Sequence, residues 1–238
     1  MKEKIVELNR EFKNVDIKEL LEYFLKKYRG KIALSSSFGA EDQVLTDLIL
    51  KIDSNAEIFT LDTGRLPQQT YDVMDMTNQK YNIKIRVYFP ESMDVEKLYY
   101  KQGFNGFYES IENRKECCYV RKIAPLKRAL KNIDVWITGL RAEQSSTRET
   151  MQLLEWDEAN GVIKLNPLIF WSEADVWNYI KKNSVPYNAL HDKGYPSIGC
   201  ASCTRAVEDG ADIRSGRWWW ESKEHKECGL HINRSIEK

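Results

Sequence analysis

Apolar residues in the first thirty positions recur at helical spacing, at Ile5, Leu8 and Phe12 and then at Leu20, Leu21, Phe24, Leu25 and Tyr28. The pattern predicts helix up to Gly30, a residue suited to a helix stop. A short apolar run over 32–34 predicts a strand that opens into Ser35-Ser36-Ser37-Phe38-Gly39 and leads to a helix over 40–50. The same unit repeats, with a buried strand over 57–61, a turn at Asp62-Thr63-Gly64 and a helix over 67–80. Alternation over 83–89, closed by Pro90, gives a third strand; 135–139 give a fourth and 162–170 hold a fifth. Ser172 then caps a helix running to about Lys182.

Strands alternating with helices predict an α/β fold, a mostly parallel twisted sheet with helices on both faces. Right-handed crossovers set the loops that follow the strands along one edge of that sheet. Three of these loops are small and carry glycine, namely Ser-Ser-Ser-Phe-Gly, Leu-Asp-Thr-Gly and Ile-Thr-Gly-Leu-Arg. They allow backbone to approach a ligand closely, and the first leads into a helix N-terminus that can receive an anion. Residues 183–238 are rich in Gly, Pro and polar side chains, with Trp218-Trp219-Trp220 embedded, and read as an irregular C-terminal segment folded over the sheet edge. The expected organisation is a nucleotide-binding α/β domain over 1–204 and a C-terminal segment over 205–238.

Composition narrows the class. Lys+Arg and Asp+Glu stand at 36 each, so no overall basic field exists to carry nucleic-acid binding. No stretch approaches the roughly 20 apolar residues of a membrane span, and the charged opening MKEKIVELNR does not resemble a signal peptide, so a cytoplasmic location is expected. The five cysteines, an odd number, argue for metal ligation or a reactive thiol over a disulfide scaffold.

Those cysteines supply the most specific chemistry. Cys117-Cys118 and Cys200-X-X-Cys203 form two tight pairs, and four thiolates can close a tetrahedral metal site or hold a cubane cluster. Adjacent cysteines converge poorly on one small ion but reach separate corners of a larger cage, which favours [4Fe–4S] over zinc. Lys122, four residues after Cys118, shares its helical face and can meet both the thiolates and an anionic substrate. Cys228 stands alone in Glu-Cys-Gly-Leu-His, and His231, Arg214 or Arg217 nearby would stabilise its thiolate for nucleophilic attack. Arg214 and Arg217 form a cation pair suited to phosphate or sulfonate. The first loop lacks the P-loop lysine, and Glu41 and Asp42 at its helix start disfavour a bare triphosphate.

The Cys-Cys…Cys-X-X-Cys set with Glu-Cys-Gly-Leu-His, Ser-Phe-Gly-Ala-Glu-Asp and Leu-Asp-Thr-Gly-Arg resembles the assimilatory adenylyl-sulfate (APS) reductase family, relatives of the phosphoadenylyl-sulfate (PAPS) reductases, from about residue 30 to 231. The resemblance implies an adenine-nucleotide α-hydrolase-like fold and reduction of APS to sulfite and AMP through an S-sulfocysteine on Cys228. It also implies a [4Fe–4S] cluster on Cys117, Cys118, Cys200 and Cys203, and thioredoxin or glutaredoxin as reductant. Lys122, Arg214, Arg217 and His231 match positions around the phosphosulfate. Ser37, Gly39, Leu61, Thr63, Gly139 and Arg141 match the adenosine-binding edge. A PAPS or dual-specificity reductase is the nearest alternative. A tRNA-thiolating pyrophosphatase relative lacks support because its Ser-Gly-Gly-Lys-Asp loop is absent, and a cluster-bearing RNA-binding or sensor protein ranks lower still. No nucleic-acid or membrane partner is expected, and a homo-oligomer is left open.

Overall fold

Runs of β-branched and large apolar residues build the strands, and their alternation decides which face each side chain meets. In the computed structural model, which describes residues 2–145, 148–208 and 210–222, six strands form one sheet in the order β3-β2-β1-β4-β6-β5. These are β1 (Ile32–Ser35), β2 (Glu57–Leu61), β3 (Arg86–Tyr88), β4 (Val135–Ile137), β5 (Leu154–Asp157) and β6 (Val162–Leu165). β1 pairs in parallel with β2 and β4, β4 pairs in parallel with β6, and β5 pairs antiparallel with β6. The expected mostly parallel α/β sheet is therefore present.

The chain divides into two compact units, each drawn from separated stretches. The first contains the residues up to Thr60, with Gln69–Arg86 and Asn132–Ala189. It holds α1 (Lys2–Glu11), α2 (Ile17–Lys27), α3 (Ala40–Ile52), α4 (Gln68–Tyr81) but for its first residue, and α8 (Glu173–Asn183). Ile32 and Leu34 of β1, Val135 and Ile137 of β4, and Ile163 and Leu165 of β6 point to one face, where they join Phe24, Leu45, Ile49, Val176 and Ile180 in a continuous core. The alternate residues Ala33, Trp136, Val162 and Lys164 are buried too, so both faces are covered, as a parallel sheet requires.

The N-terminal helical pattern resolves into two helices. Asp16 caps the second by accepting from Lys18 N, and Gly30 lies at φ 76° beyond it. The third strand is shorter than 83–89, because Ile83 N and Ile85 N donate to the backbone and side chain of Asn78 and so complete the end of α4. The fifth expected strand stops at Leu165, since Asn166 engages Gln152 O and Thr138 and turns the chain away. β5 is a strand that the hydrophobic pattern does not predict. It forms a hairpin with β6 around Asn160-Gly161, where Gly161 has φ 68° and Asp157 accepts from Asn160 N.

The second unit takes Leu61–Gln68, Val87–Lys131 and the described residues from Leu190 onward. It contains α5 (Ser92–Gln102), α6 (Ile111–Cys118) and α7 (Ala124–Ala129). α6 and α7 are joined without a break by a π-helical turn over Tyr119–Ile123, a geometry that recurs at functional sites. Ser110 caps α6 by accepting from Asn113 N, and Lys101 and Gln102 of α5 donate to Glu116. Beyond Leu190 the described chain is irregular, with short 3-10 turns at His191–Lys193 and Ala201–Cys203. Among the described residues no helix is long and apolar enough to cross a membrane.

Candidate functional site

In the first unit the strand order reverses direction at β1, which has β2 on one side and β4 on the other. Ligands of doubly wound sheets bind at such switch points, beyond the carboxyl ends of the strands. Two loops leave there: residues 36–39 after β1 and 138–141 after β4. Asp42, in the first turn of α3, reaches back and accepts from Ser37 N and Ser37 Oγ, each at 2.6 Å, and from the Gly139 backbone. A Cβ on Gly139 would lie 2.2 Å from Asp42 Oδ1, so only glycine permits this approach. Burial pushes the Asp42 carboxyl up to about 6, against the hydrogen bonds from Ser37. The loop amides that could cradle a phosphate are thus engaged by the protein's own carboxylate.

Next to it, buried Arg141 donates from Nε to Glu41 Oε1 at 2.8 Å and from Nη1 to Glu143 Oε2 at 3.1 Å. Phe38 is buried with φ 61°, a left-handed backbone that a bulky side chain adopts only under constraint. Ser37, Gly39, Gly139 and Arg141 therefore lie together around one crevice, tied across it by Glu41 and Asp42.

The second unit carries the cysteines. A stripe at positions 114, 117, 118, 121 and 122 of the α6–π segment, the i, i+3, i+4, i+7, i+8 spacing of one helix face, lines a cavity. Cys200 and Cys203 complete its wall, together with Arg65, Arg217 and Trp218. All four cysteines of the described chain are free thiols around that one cavity. Thr63 Oγ1 lies 3.2 Å from Cys200 Sγ, and Arg121 Nη1 donates to Thr63 O at 2.5 Å, so the Leu-Asp-Thr-Gly turn is committed to the cysteine wall. Ala201 N donates to Arg65 O, which brings the Cys200–Cys203 turn onto the same stretch.

Five cations, Arg65, Arg114, Arg121, Lys122 and Arg217, share this lining. Burial alone would push the Cys200 thiol up, but Lys122, the Thr63 hydroxyl, Arg217 and Arg121 together hold it below the ordinary value. Burial, then the neighbouring Cys200, pushes Cys203 up to about 11, and burial raises Cys117 against the pull of Arg121. Among the described residues Arg121 Nε and Trp218 Nε1 are buried donors without a hydrogen-bond partner. No three Cys, His, Asp or Glu side chains among the described residues gather closely enough to hold a single metal ion. Arg217 is held by donation to Ile198 O and Ser197 Oγ, and Gly199 leaves room for it, since a Cβ there would meet Arg217 Nη2 at 2.2 Å.

Of the residues singled out from sequence, Cys117, Cys118, Cys200, Cys203, Lys122, Arg217 and Thr63 gather in the second unit. Arg214 approaches the ring of Trp218, with Cζ 5.8 Å from its centroid, and Leu61 ends β2 half-buried. Cys228 and His231 lie outside the described residues. Sequence reasoning missed Asp42 as a loop ligand and Arg65, Arg114, Arg121 and Trp218 as cavity walls. For Arg114 and Arg121 the helical spacing to the cysteine pair was an available signal.

Comparison with known proteins agrees with this picture. Adenosine 5'-phosphosulfate reductase of Allochromatium vinosum is 52% identical over 84% of this chain and 78% of its own length. Its namesake in Burkholderia cepacia is 50% identical over 85% of the chain and 81% of that protein. The crystal structure of phosphoadenylyl-sulfate (PAPS) reductase from Candida auris in its phosphate complex superposes with a TM-score of 0.74, at 29% identity, covering 87% of this chain and 98% of that one. The phosphoadenosine phosphosulfate reductase domain model matches residues 31–206, a stretch that takes in the switch-point crevice and all four cavity cysteines, and the chain belongs to that family.

Proposed function

We propose that the chain reduces adenosine 5'-phosphosulfate to sulfite and AMP. The observation that carries this reading is one cavity walled by four cysteines and five cations in a chain of this family. In the proposed reaction the Cys228 thiolate attacks the sulfur of the phosphosulfate. An S–S bond forms, the S–O bond to phosphate breaks, and AMP leaves with the electron pair. Negative charge grows on that phosphate, and Lys122, Arg214 and Arg217 are the residues assigned to stabilise it. The Asp42-tied loops are assigned to the adenosine, with Ser37, Gly39, Gly139 and Arg141 as its contacts, and the resemblance assigns Leu61 and Thr63 to the same ligand.

An external dithiol, thioredoxin or glutaredoxin, then attacks the Cys228 sulfur. Sulfite leaves with the electron pair, and the second thiol of the dithiol closes a disulfide and frees Cys228. Sulfur is reduced and the dithiol oxidised by two electrons. His231, three residues from Cys228, is assigned to the same phosphosulfate. A cytoplasmic location fits a reaction that draws on a reducing dithiol pool.

Cys117, Cys118, Cys200 and Cys203 would hold a [4Fe–4S] cluster. Thiols spread around a cavity wall suit separate corners of a cage, whereas a single tetrahedral ion needs every sulfur within about 2.3 Å of one point. The buried donors Arg121 Nε and Trp218 Nε1 have no protein acceptor among the described residues and suit sulfur acceptors in that cavity. When bound, the cluster supplies a fixed anionic cage that orders its ligands and neighbouring cations. The test is to incubate anaerobically purified protein with APS, without reductant, and weigh it. A sulfonate adduct mapped to Cys228, absent from Cys228→Ser, is the expected result; sulfite release from Cys228→Ser at the unaltered rate refutes the reading.

A further inference from the structure

The cavity cysteines of the second unit come from two stretches far apart in the chain, Cys117-Cys118 on α6 and Cys200-X-X-Cys203 on the irregular segment beyond Leu190. A cage that takes a thiolate at each corner needs both pairs held at one spacing. Two hydrogen-bonded bridges link them through described residues. In the first, Arg121 reaches Thr63 O and the Thr63 hydroxyl meets Cys200. The second has no part in the chemistry above. Arg114 of α6 hydrogen-bonds to Cys118 and donates from Nε to Glu221 Oε1 at 2.9 Å and from Nη2 to Glu221 Oε2 at 2.7 Å. Glu221 N donates to Trp218 O at 2.8 Å, and Trp218 N donates to Cys203 O at 3.2 Å.

The second bridge therefore runs from Cys118 through Arg114, Glu221 and Trp218 to Cys203. Its centre is geometrically specific, because a planar guanidinium meets a carboxylate in one orientation, and the two side chains are only 1% and 4% exposed. Arg114 also lies over the ring of Trp218, with Cζ 4.8 Å from its centroid, and Trp218 has φ 41°, a left-handed backbone held by what surrounds it. Trp219 and Trp220 are fastened elsewhere. Trp220 packs on Phe107 and Tyr108, with ring centroids 6.2 and 4.4 Å away, and Trp219 packs on Tyr108 at 6.4 Å and on Arg205. Those contacts seat the tryptophan turn on residues 106–108 without Glu221, which leaves the ion pair a distinct task, the placing of Cys203 against Cys118.

We propose that Arg114 and Glu221 form a clasp that sets the two cysteine pairs at the spacing an iron–sulfur cluster requires, and that both are positioning residues for that cluster. The proposal rests on the reading of Cys117, Cys118, Cys200 and Cys203 as cluster ligands. Magnitudes separate this role from a contribution to the fold. Replacing both members of a buried ion pair by neutral groups is often harmless to stability, whereas removing one strands a charge. Groups that orient a metal's ligands, by contrast, change its retention by roughly 10–100-fold when they are lost.

Full-length protein is purified anaerobically and assayed for iron and acid-labile sulfide, and the decay of its visible sulfur-to-iron absorbance is followed after an iron chelator is added. Wild type is compared with Glu221→Gln, with the double variant Arg114→Met/Glu221→Gln, and with Lys115→Gln, which removes an exposed cation of α6 and leaves the clasp intact. The clasp predicts that the double variant loses its cluster about tenfold or more faster than wild type, with an unchanged far-UV spectrum before the chelator is added. Glu221→Gln, which leaves Arg114 facing an amide, loses it at least as fast, and Lys115→Gln stays within about twofold of wild type. A double variant within about twofold of wild type, or a Lys115→Gln as damaging as the double variant, overturns the proposal. Should neither Glu221→Gln nor the double variant fold, Glu221→Asp keeps the charge one methylene short and is read by the same criteria. Wild type that carries no iron and sulfide, or zinc in their place, removes the cluster reading and the clasp with it; a loaded wild type beside variants that hold the cluster equally long removes the clasp alone.

Discussion

Replacing Asp42 by asparagine probes whether a buried carboxylate holds the switch-point crevice together. Asp42 is 7% exposed and accepts three hydrogen bonds, two from Ser37 and one from Gly139. Burial raises its carboxyl from 3.8 to about 6, so the folded protein binds a proton more tightly than the unfolded chain does. The contribution of such a group to stability is fully present below pH 3.8 and is lost as pH rises through about 6. Linkage between those two values gives a loss of about 3 kcal/mol by pH 7.5, roughly half of it already lost at pH 5.

Asparagine does not titrate, so the stability difference between wild type and Asp42→Asn should move by about 1 kcal/mol in favour of wild type on going from pH 7.5 to pH 5. Urea unfolding of both proteins at the two pH values measures this. At pH 7.5 the variant also trades one carboxylate oxygen for an amide N–H; Ser37 N and Oγ both meet Oδ2, so the amide keeps them only with its oxygen there and its N–H in place of Oδ1, which costs about 1–3 kcal/mol. A difference that stays constant between pH 5 and 7.5 would show that burial does not raise the Asp42 carboxyl and would refute this reasoning.

Gly139→Ala places a methyl 2.2 Å from Asp42 Oδ1 and should cost about 1–3 kcal/mol in urea unfolding while weakening AMP binding measured by calorimetry; unaltered stability would contradict the close approach. Gly199→Ala drives a methyl into the Arg217 guanidinium, 2.2 Å from Nη2. It should raise the APS concentration needed for half-maximal Cys228 adduct, with the far-UV spectrum unchanged; an unchanged half-saturation removes Arg217 from substrate capture.

The central strands were legible because β1, β2 and β4 are short apolar runs followed by small residues, and nothing tertiary competes with that signal. β3 was overread because Ile83 and Ile85 look like strand residues, yet their N–H groups are claimed by Asn78 at the end of α4. β5 carried a usable signal in Asn160-Gly161, outweighed by the polar composition of Leu154–Asp157. The two cysteine pairs were readable as a common site from chemistry alone. What sequence could not supply was Asp42's orientation: a carboxylate at a helix start reads as repulsion toward an anion, whereas here it turns back to bind the loop. Nor does composition announce that Glu221 meets Arg114 across 107 residues of chain.

The π turn over Tyr119–Ile123 amounts to one surplus residue lodged in an otherwise regular rod. Because each residue of an α-helix advances the rotation by about 100°, that surplus sets the phase between Cys117-Cys118 on one side and Pro125, Leu126 and Ala129 on the other. Removing one residue there would let the rod close into uninterrupted α-helix, and whichever half stayed seated, the other would be swivelled off its surface. The thiols and the anchoring apolar stripe can both face inward only while the irregularity persists, which makes this helix intolerant of shortening even where its side chains are exposed.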